Sequence, residues 1–161
     1  MIMHSYGGMV GTEAVVESLS KKSRSAKGEK GSVVQLLYKC ELMLQKGQSS
    51  NTTRWCATAV YSCRGISLQP LQASRTKTFQ DDGTCSMLDP KARFYQDLPP
   101  AEAERWESLL RPHPAIAQLT PLTNEAFRYV PSTYLYCEND AALPIFVQKD
   151  MVEKTGVEVK G

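Results

Sequence analysis

No stretch of this sequence approaches the roughly 20 consecutive apolar residues that a membrane-spanning helix needs. The opening Met1-Ile2-Met3-His4 lacks both the basic and the apolar region of a secretory leader. Charge of one sign is lacking too: 19 Lys and Arg stand against 17 Asp and Glu, leaving +2. The basic residues are mostly dispersed, which excludes a nucleic-acid-binding face. Histidine is scarce, at two residues, and the five cysteines (Cys40, Cys56, Cys63, Cys85, Cys137) form no Cys-x-x-Cys pair. That odd, unpatterned set implies neither a disulfide framework nor a zinc site. Free thiols in a cytoplasmic protein, with no metal, cofactor, membrane or nucleic-acid partner, are the expectation. What is present, 42% hydrophobic and 22% charged residues over 161 positions, suits a globular chain able to bury a core.

Strand and helix signals alternate at the two ends of the chain. Residues 1–3 are apolar, and residues 8–19 carry Gly11, Ala14, Val15 and Leu19 at helical spacing, with small residues first, where a backbone packs closely. Residues 20–32, with Lys21, Lys22, Arg24, Lys27 and Lys30 beside Gly28 and Gly31, read as a solvated loop. Residues 33–38 read as a short buried strand. Strand-like runs then vanish from 47 to 127. The clearest piece there is a helix after Pro99-Pro100, capped by Asp97 or a neighbour and ending near Leu110, with Ala103, Trp106 and Leu109 on one stripe. Asp81-Asp82-Gly83 marks a turn. Residues 132–137 read as a strand and 144–155 as a helix, with Pro144 in its first turn and Gly156 past its end. Val157-Glu158-Val159 begins a further strand. Strands alternating with helices predict an α/β fold with a parallel sheet. The expected organisation is a core over 1–46 and 128–161, interrupted by a helical cap over 47–127.

Two residues in this frame carry chemistry. Ser5, in His4-Ser5-Tyr6-Gly7, sits at a strand-to-helix junction, where a tight turn lifts a hydroxyl above the sheet at a helix N-terminus. The backbone N–H of Tyr6 there points toward a developing oxyanion. The match is imperfect, because Met3 stands where the elbow motif usually has glycine. Asp140 lies just past a predicted parallel strand, at its carboxyl end, where catalytic groups gather. The order Ser, then Asp, suits a triad whose acid orients a histidine. Neither histidine suits that role: His4 points away from its neighbour Ser5, and His113, between two prolines, reads as an exposed loop residue. Glu138, nearer the strand, reads as structural.

The run His4-Ser5-Tyr6-Gly7-Gly8-Met9, the strand end Cys137-Glu138-Asn139-Asp140, and the following Leu143-Pro144 and Gln148 resemble the α/β-hydrolase branch that includes plant methylesterases and hydroxynitrile lyases, closest to small fungal hydrolases. The resemblance covers nearly the whole chain. It implies Ser5 as nucleophile, Asp140 as triad acid, the Tyr6 N–H as one oxyanion donor, and a cap that selects a small ester substrate. Trp106, Tyr95, Phe94 and Met87 then either line the pocket or, as expected for each, pack in the cap core. It further implies upstream strands and a downstream histidine that this sequence does not contain. A truncated chain with an open sheet edge, poorly soluble on its own, is therefore expected. The leading function is hydrolysis of small carboxylic esters through an acyl-enzyme, impaired in this fragment. The alternatives are an inactive pseudo-enzyme acting at most as a binding module, and a hydroxynitrile-lyase-type lyase.

Overall fold

A computed structural model describes residues 1–50 and 77–156. Its elements in chain order are β1 (Ile2–Ser5), α1 (Gly7–Ala14), α2 (Lys21–Ala26), β2 (Leu36–Glu41), β3 (Lys77–Phe79), β4 (Thr84–Met87), α3 (Pro90–Phe94), α4 (Pro100–Leu109), β5 (His113–Pro114), α5 (Ile116–Leu119), β6 (Ser132–Leu135) and α6 (Ile145–Thr155), with 3₁₀ turns at Glu17–Leu19 and Ala126–Arg128. The chain divides into two compact units, Met1–Gln48 with Pro121–Gly161, and Ser49–Thr120. Among the described residues, no helix is long and apolar enough to cross a membrane.

The first unit is built on a parallel sheet of order β1-β2-β6, as the alternating pattern predicts. The central strand shows why. Leu36 and Tyr38 alternate with exposed Lys39 and are both fully buried, the period-2 pattern of a strand with one packed face. Tyr38 lies level with Tyr134 of β6, and their rings stack 6.4 Å apart. The Tyr38 hydroxyl lies 2.9 Å from Thr12 Oγ1 of α1, satisfying both buried groups. Met3, Val15, Phe127 and Val130 complete this core.

Small residues let α1 close on the sheet. A Cβ on Gly11 would fall 2.1 Å from Met3 Sδ, and one on Gly8 would fall 2.6 Å from the Glu41 carboxyl carbon. Gly7, by contrast, meets open space. The helix end is tied by Asn124, whose Nδ2 donates to Thr12 O (2.8 Å) and Val15 O (2.7 Å). Backbone bonds of 2.8 Å, Gly47 N–H to Leu122 O and Leu122 N–H to Gln48 O, join the outgoing and returning chain.

Several expectations need correction. Residues 20–32 are not all loop: Ser20 Oγ accepts the Ser23 N–H at 3.2 Å and caps α2, so serine chemistry at the cap outweighs the nearby glycines. The second unit is not purely helical. It holds an antiparallel sheet of order β3-β4-β5, whose strands of two to four residues are too short to show periodicity. Asp82-Gly83 forms its turn, with Gly83 at φ +80° and Asp82 Oδ1 accepting the Thr84 N–H at 2.9 Å. Helix α4 starts on Pro99-Pro100 without a side-chain cap from Asp97. Phe94 and Trp106 are exposed while Tyr95 and Met87 are half-buried, so none is core. Pro144 stands at the cap of α6 and Gly156 ends it at φ +62°. Residues 157–159 lie outside the described residues, as do Cys56 and Cys63.

The cysteine expectation is overturned. Cys40 and Cys137 form a disulfide with Cα atoms 5.8 Å apart, across 97 residues of sequence; Cys85 is a buried free thiol. Sequence spacing concealed the pair because the parallel pairing of β2 with β6 is what brings it together. Closing so long a loop removes denatured-state entropy worth up to about 4–5 kcal/mol. Reduction is therefore expected to lower the urea midpoint markedly, and Cys137→Ser to lower it equally and abolish its response to reductant. A wild-type midpoint indifferent to reductant would show that the bridge contributes nothing.

Candidate functional site

Ser5 is the last residue of β1, and its φ of +55° puts it in the left-handed region. For a side chain with a Cβ this costs on the order of 1 kcal/mol and persists only where the surroundings impose it. Here the surroundings do: the Ser5 carbonyl accepts the Leu42 N–H at 3.3 Å, and the carbonyl of the next residue, Tyr6, accepts from Met9 (3.1 Å) and Val10 (3.4 Å). The chain thus reverses from strand to helix within two residues, leaving Ser5 exposed and Tyr6 at the N-cap of α1. The missing glycine at Met3 is compensated from the other side. Met3 is buried against Gly11, so the helix rather than the strand gives up its side chain.

Asp140 lies in the turn after β6, at the carboxyl end of the same sheet. Two strand spacings separate the ends of β1 and β6, about 10 Å. Asp140 Oδ1 accepts the N–H groups of Ala142 (2.8 Å) and Leu143 (2.9 Å), which fixes the carboxylate against its own turn. The turn is held in turn by fully buried Gln148 of α6. Its Oε1 accepts the Cys137 N–H at 3.0 Å, while its Nε2 donates to Cys137 O (2.9 Å) and Leu143 O (2.6 Å). With the disulfide to Cys40, the Cys137 end of this turn is anchored on both β2 and α6.

Between these two groups sits a residue that the sequence reading missed. Glu41 ends β2, opposite Ser5 in register. Cys40, at φ +44°, forms an irregularity in the pairing between His4 and Ser5, and an extra residue flips the side-chain alternation beyond it. Glu41 is thereby turned inward against Gly8 instead of outward, and is fully buried. The Tyr134 hydroxyl accepts its N–H (3.0 Å) and donates to its carbonyl (2.8 Å), but among the described residues neither carboxyl oxygen has a hydrogen-bond partner. Burial pushes the carboxyl from 4.5 up to about 9, so it is neutral at pH 7. A glutamate closing an apolar strand was the available signal; its direction was not.

The other candidates fall elsewhere. His4 is exposed on β1, while its neighbour Met3 packs inward. His113 is no loop residue. It lies in β5, half-buried, with Nε2 3.2 Å from Cys85 Sγ and 3.0 Å from Gln118 Nε2. Glu138 is exposed.

Gln148→Leu keeps the volume but strands Cys137 N–H and two carbonyls, and should cost about 2–4 kcal/mol in chemical denaturation. Asp140→Asn retains the acceptor oxygen and should cost under about 1 kcal/mol, with Asp140→Ala costing more. Glu41 makes a pH prediction. Its folded value lies above its unfolded value, so its contribution is complete below about pH 4.5 and is lost as pH rises through about 9. The urea midpoint should fall across that window in wild type and fall less in Glu41→Gln.

Comparison with known proteins matches this chain to the Alpha/beta hydrolase family over residues 1–161. Alpha/beta hydrolase nvfD of Aspergillus novofumigatus is 33% identical over 157 residues, covering 96% of this chain and 56% of that protein. A pyrethroid hydrolase from Sphingobium faniae is similar in structure with a TM-score of 0.59 at 18% identity, over 99% of this chain and 58% of that one. The methylesterase MES16 from Arabidopsis gives a TM-score of 0.55 at 18% identity, over 99% and 56%. The chain spans a little over half the length of each. The parallel sheet, the left-handed serine at its strand-to-helix turn and the match along all 161 residues agree: this chain belongs to the alpha/beta hydrolase family.

Proposed function

We propose that this chain supplies the nucleophile and the acid of a serine hydrolase acting on small carboxylic esters. The observation that carries the reading is Ser5 itself: an exposed serine held at φ +55° between a parallel strand and a helix N-terminus. Few other tasks require that geometry of a non-glycine residue.

Ser5 Oγ attacks the ester carbonyl as a base takes its proton, and the carbonyl oxygen becomes an anion facing the Tyr6 N–H and the positive end of α1. The base then protonates the departing alcohol, and water releases the acid from the acyl-enzyme. Asp140 orients the base and stabilises its charged form. By family resemblance the base is a histidine. His4 faces away from the packed side of β1 and His113 is engaged with Cys85 and Gln118, so neither is assigned to it. The ester preference draws support from the structural neighbours, described as a pyrethroid hydrolase, a methylesterase and polyneuridine aldehyde esterase.

Treating the 161-residue chain with a fluorophosphonate probe should label Ser5, at a rate on the order of 10⁴-fold below that of an intact triad. Ser5→Ala should abolish the labelling. Labelling that survives this substitution would remove Ser5 from the mechanism. A chain that never labels would favour a non-enzymatic binding role.

A further inference from the structure

Glu41 presents a cost with no visible return. A buried carboxyl without a hydrogen-bond partner is unfavourable even when neutral, and far more so when charged. Among the described residues, no cationic side chain faces it. On its own strand the ionisable neighbour is Tyr38, and on β6 it is Tyr134, whose hydroxyl bonds the Glu41 backbone. Both are weak acids that burial pushes further up, and the Glu41 carboxyl raises them again. Asp140, beyond β6, adds to the same negative field at Tyr134. On α1 the facing residue is Gly8, while Glu13 turns instead to Thr123 and Asn124. On β1 the register partner is Ser5; His4 and Lys39 are exposed. No cation among these groups meets the carboxyl.

Its place, however, is beneath the first turn of α1, next to the serine. We propose that Glu41 is a positioning residue for the Ser5 turn that works as an uncharged acid. With its proton on, it fills the space under Gly8 without adding negative charge beside the nucleophile. With its proton released to solvent, the carboxylate offsets the field of the positive end of α1 and repels the anion that attack by Ser5 creates. The protonation of Glu41 therefore sets the alkaline limit of Ser5 chemistry. This rests on the reading of Ser5 as nucleophile, although the protonated state of Glu41 does not.

Infrared titration of the whole 161-residue chain tests the state directly. A carbonyl band of a protonated, unbonded carboxylic acid is expected at neutral pH, disappearing near pH 9 and missing from Glu41→Gln. Wild type lacking this band at neutral pH overturns the inference, whatever Ser5 does, and that measurement needs no variant to fold. The rate of fluorophosphonate labelling, followed from neutral pH to about pH 10, then tests the role. Above pH 9 wild type should fall to about one tenth of the Glu41→Gln rate or less, while parallel profiles overturn it. If Ser5 labels at no pH, the hydrolase reading fails separately. Amide exchange of Gly8 and Met9 then decides whether ionisation still loosens the turn in wild type and not in Glu41→Gln.

Discussion

The pairing of β2 with both β1 and β6 is the constraint on which the rest of the first unit stands. Each candidate group is local to a different strand end: Ser5 to β1, Glu41 to β2, Asp140 to the turn after β6. None has chemistry in common with the others until the three ends are aligned in one direction. Parallel alignment does this because all carboxyl ends then emerge on one rim. The tyrosine pair at its centre, Tyr38 level with Tyr134, makes the alignment specific. A slip of one residue would turn both rings and the Thr12 bond away from α1. The register that buries these rings is thus also the register that sets Ser5 opposite Glu41.

One irregular residue in β2 does two things at once. Cys40 breaks the regular pairing with β1, and its sulfur crosses to Cys137. Glu41 keeps Ser5 as its register partner but lies past the last β2–β6 pair, Lys39 with Leu135, and the Tyr134 hydroxyl serves both its N–H and its carbonyl. The sulfur bridge anchors the start of the turn that carries Asp140, and Gln148 grips the same residue from α6. The carboxyl end of the sheet is therefore held by covalent and hydrogen-bonded ties rather than by hydrophobic contact alone. That suits a rim whose side chains must stay available.

What could be read from residues alone follows the range of the interaction. The strand-to-helix turn at Ser5, the αL stop at Gly156 and the Asp82-Gly83 turn depend on a few adjacent residues, and all three are present. The α/β class was legible because strand and helix periods alternate at both ends. Helix α2 was missed although its cap is local, because Gly28 and Gly31 weighed more heavily than Ser20. They stand past the helix, each at positive φ. The Cys40–Cys137 bridge was illegible for a different reason: 97 residues intervene, and only the sheet order makes them neighbours. The direction of Glu41 was hidden further still, since the burial alternation counted along β2 holds through Cys40 and fails at Glu41.

The contrast between the two carboxyls bears on how such a rim divides labour. Asp140 receives two backbone N–H groups and lies half-buried. Glu41 receives none and is sealed from water, an environment that sustains the neutral acid. Two carboxyls, one at the end of β2 and one in the turn after β6, thus meet different surroundings. On the proposed reading of Ser5 as nucleophile, solvated carboxylates at both positions would oppose the anion that its attack creates. Burying one of them removes that repulsion without removing the side chain, and the strand irregularity at Cys40 is the backbone feature that makes the burial possible.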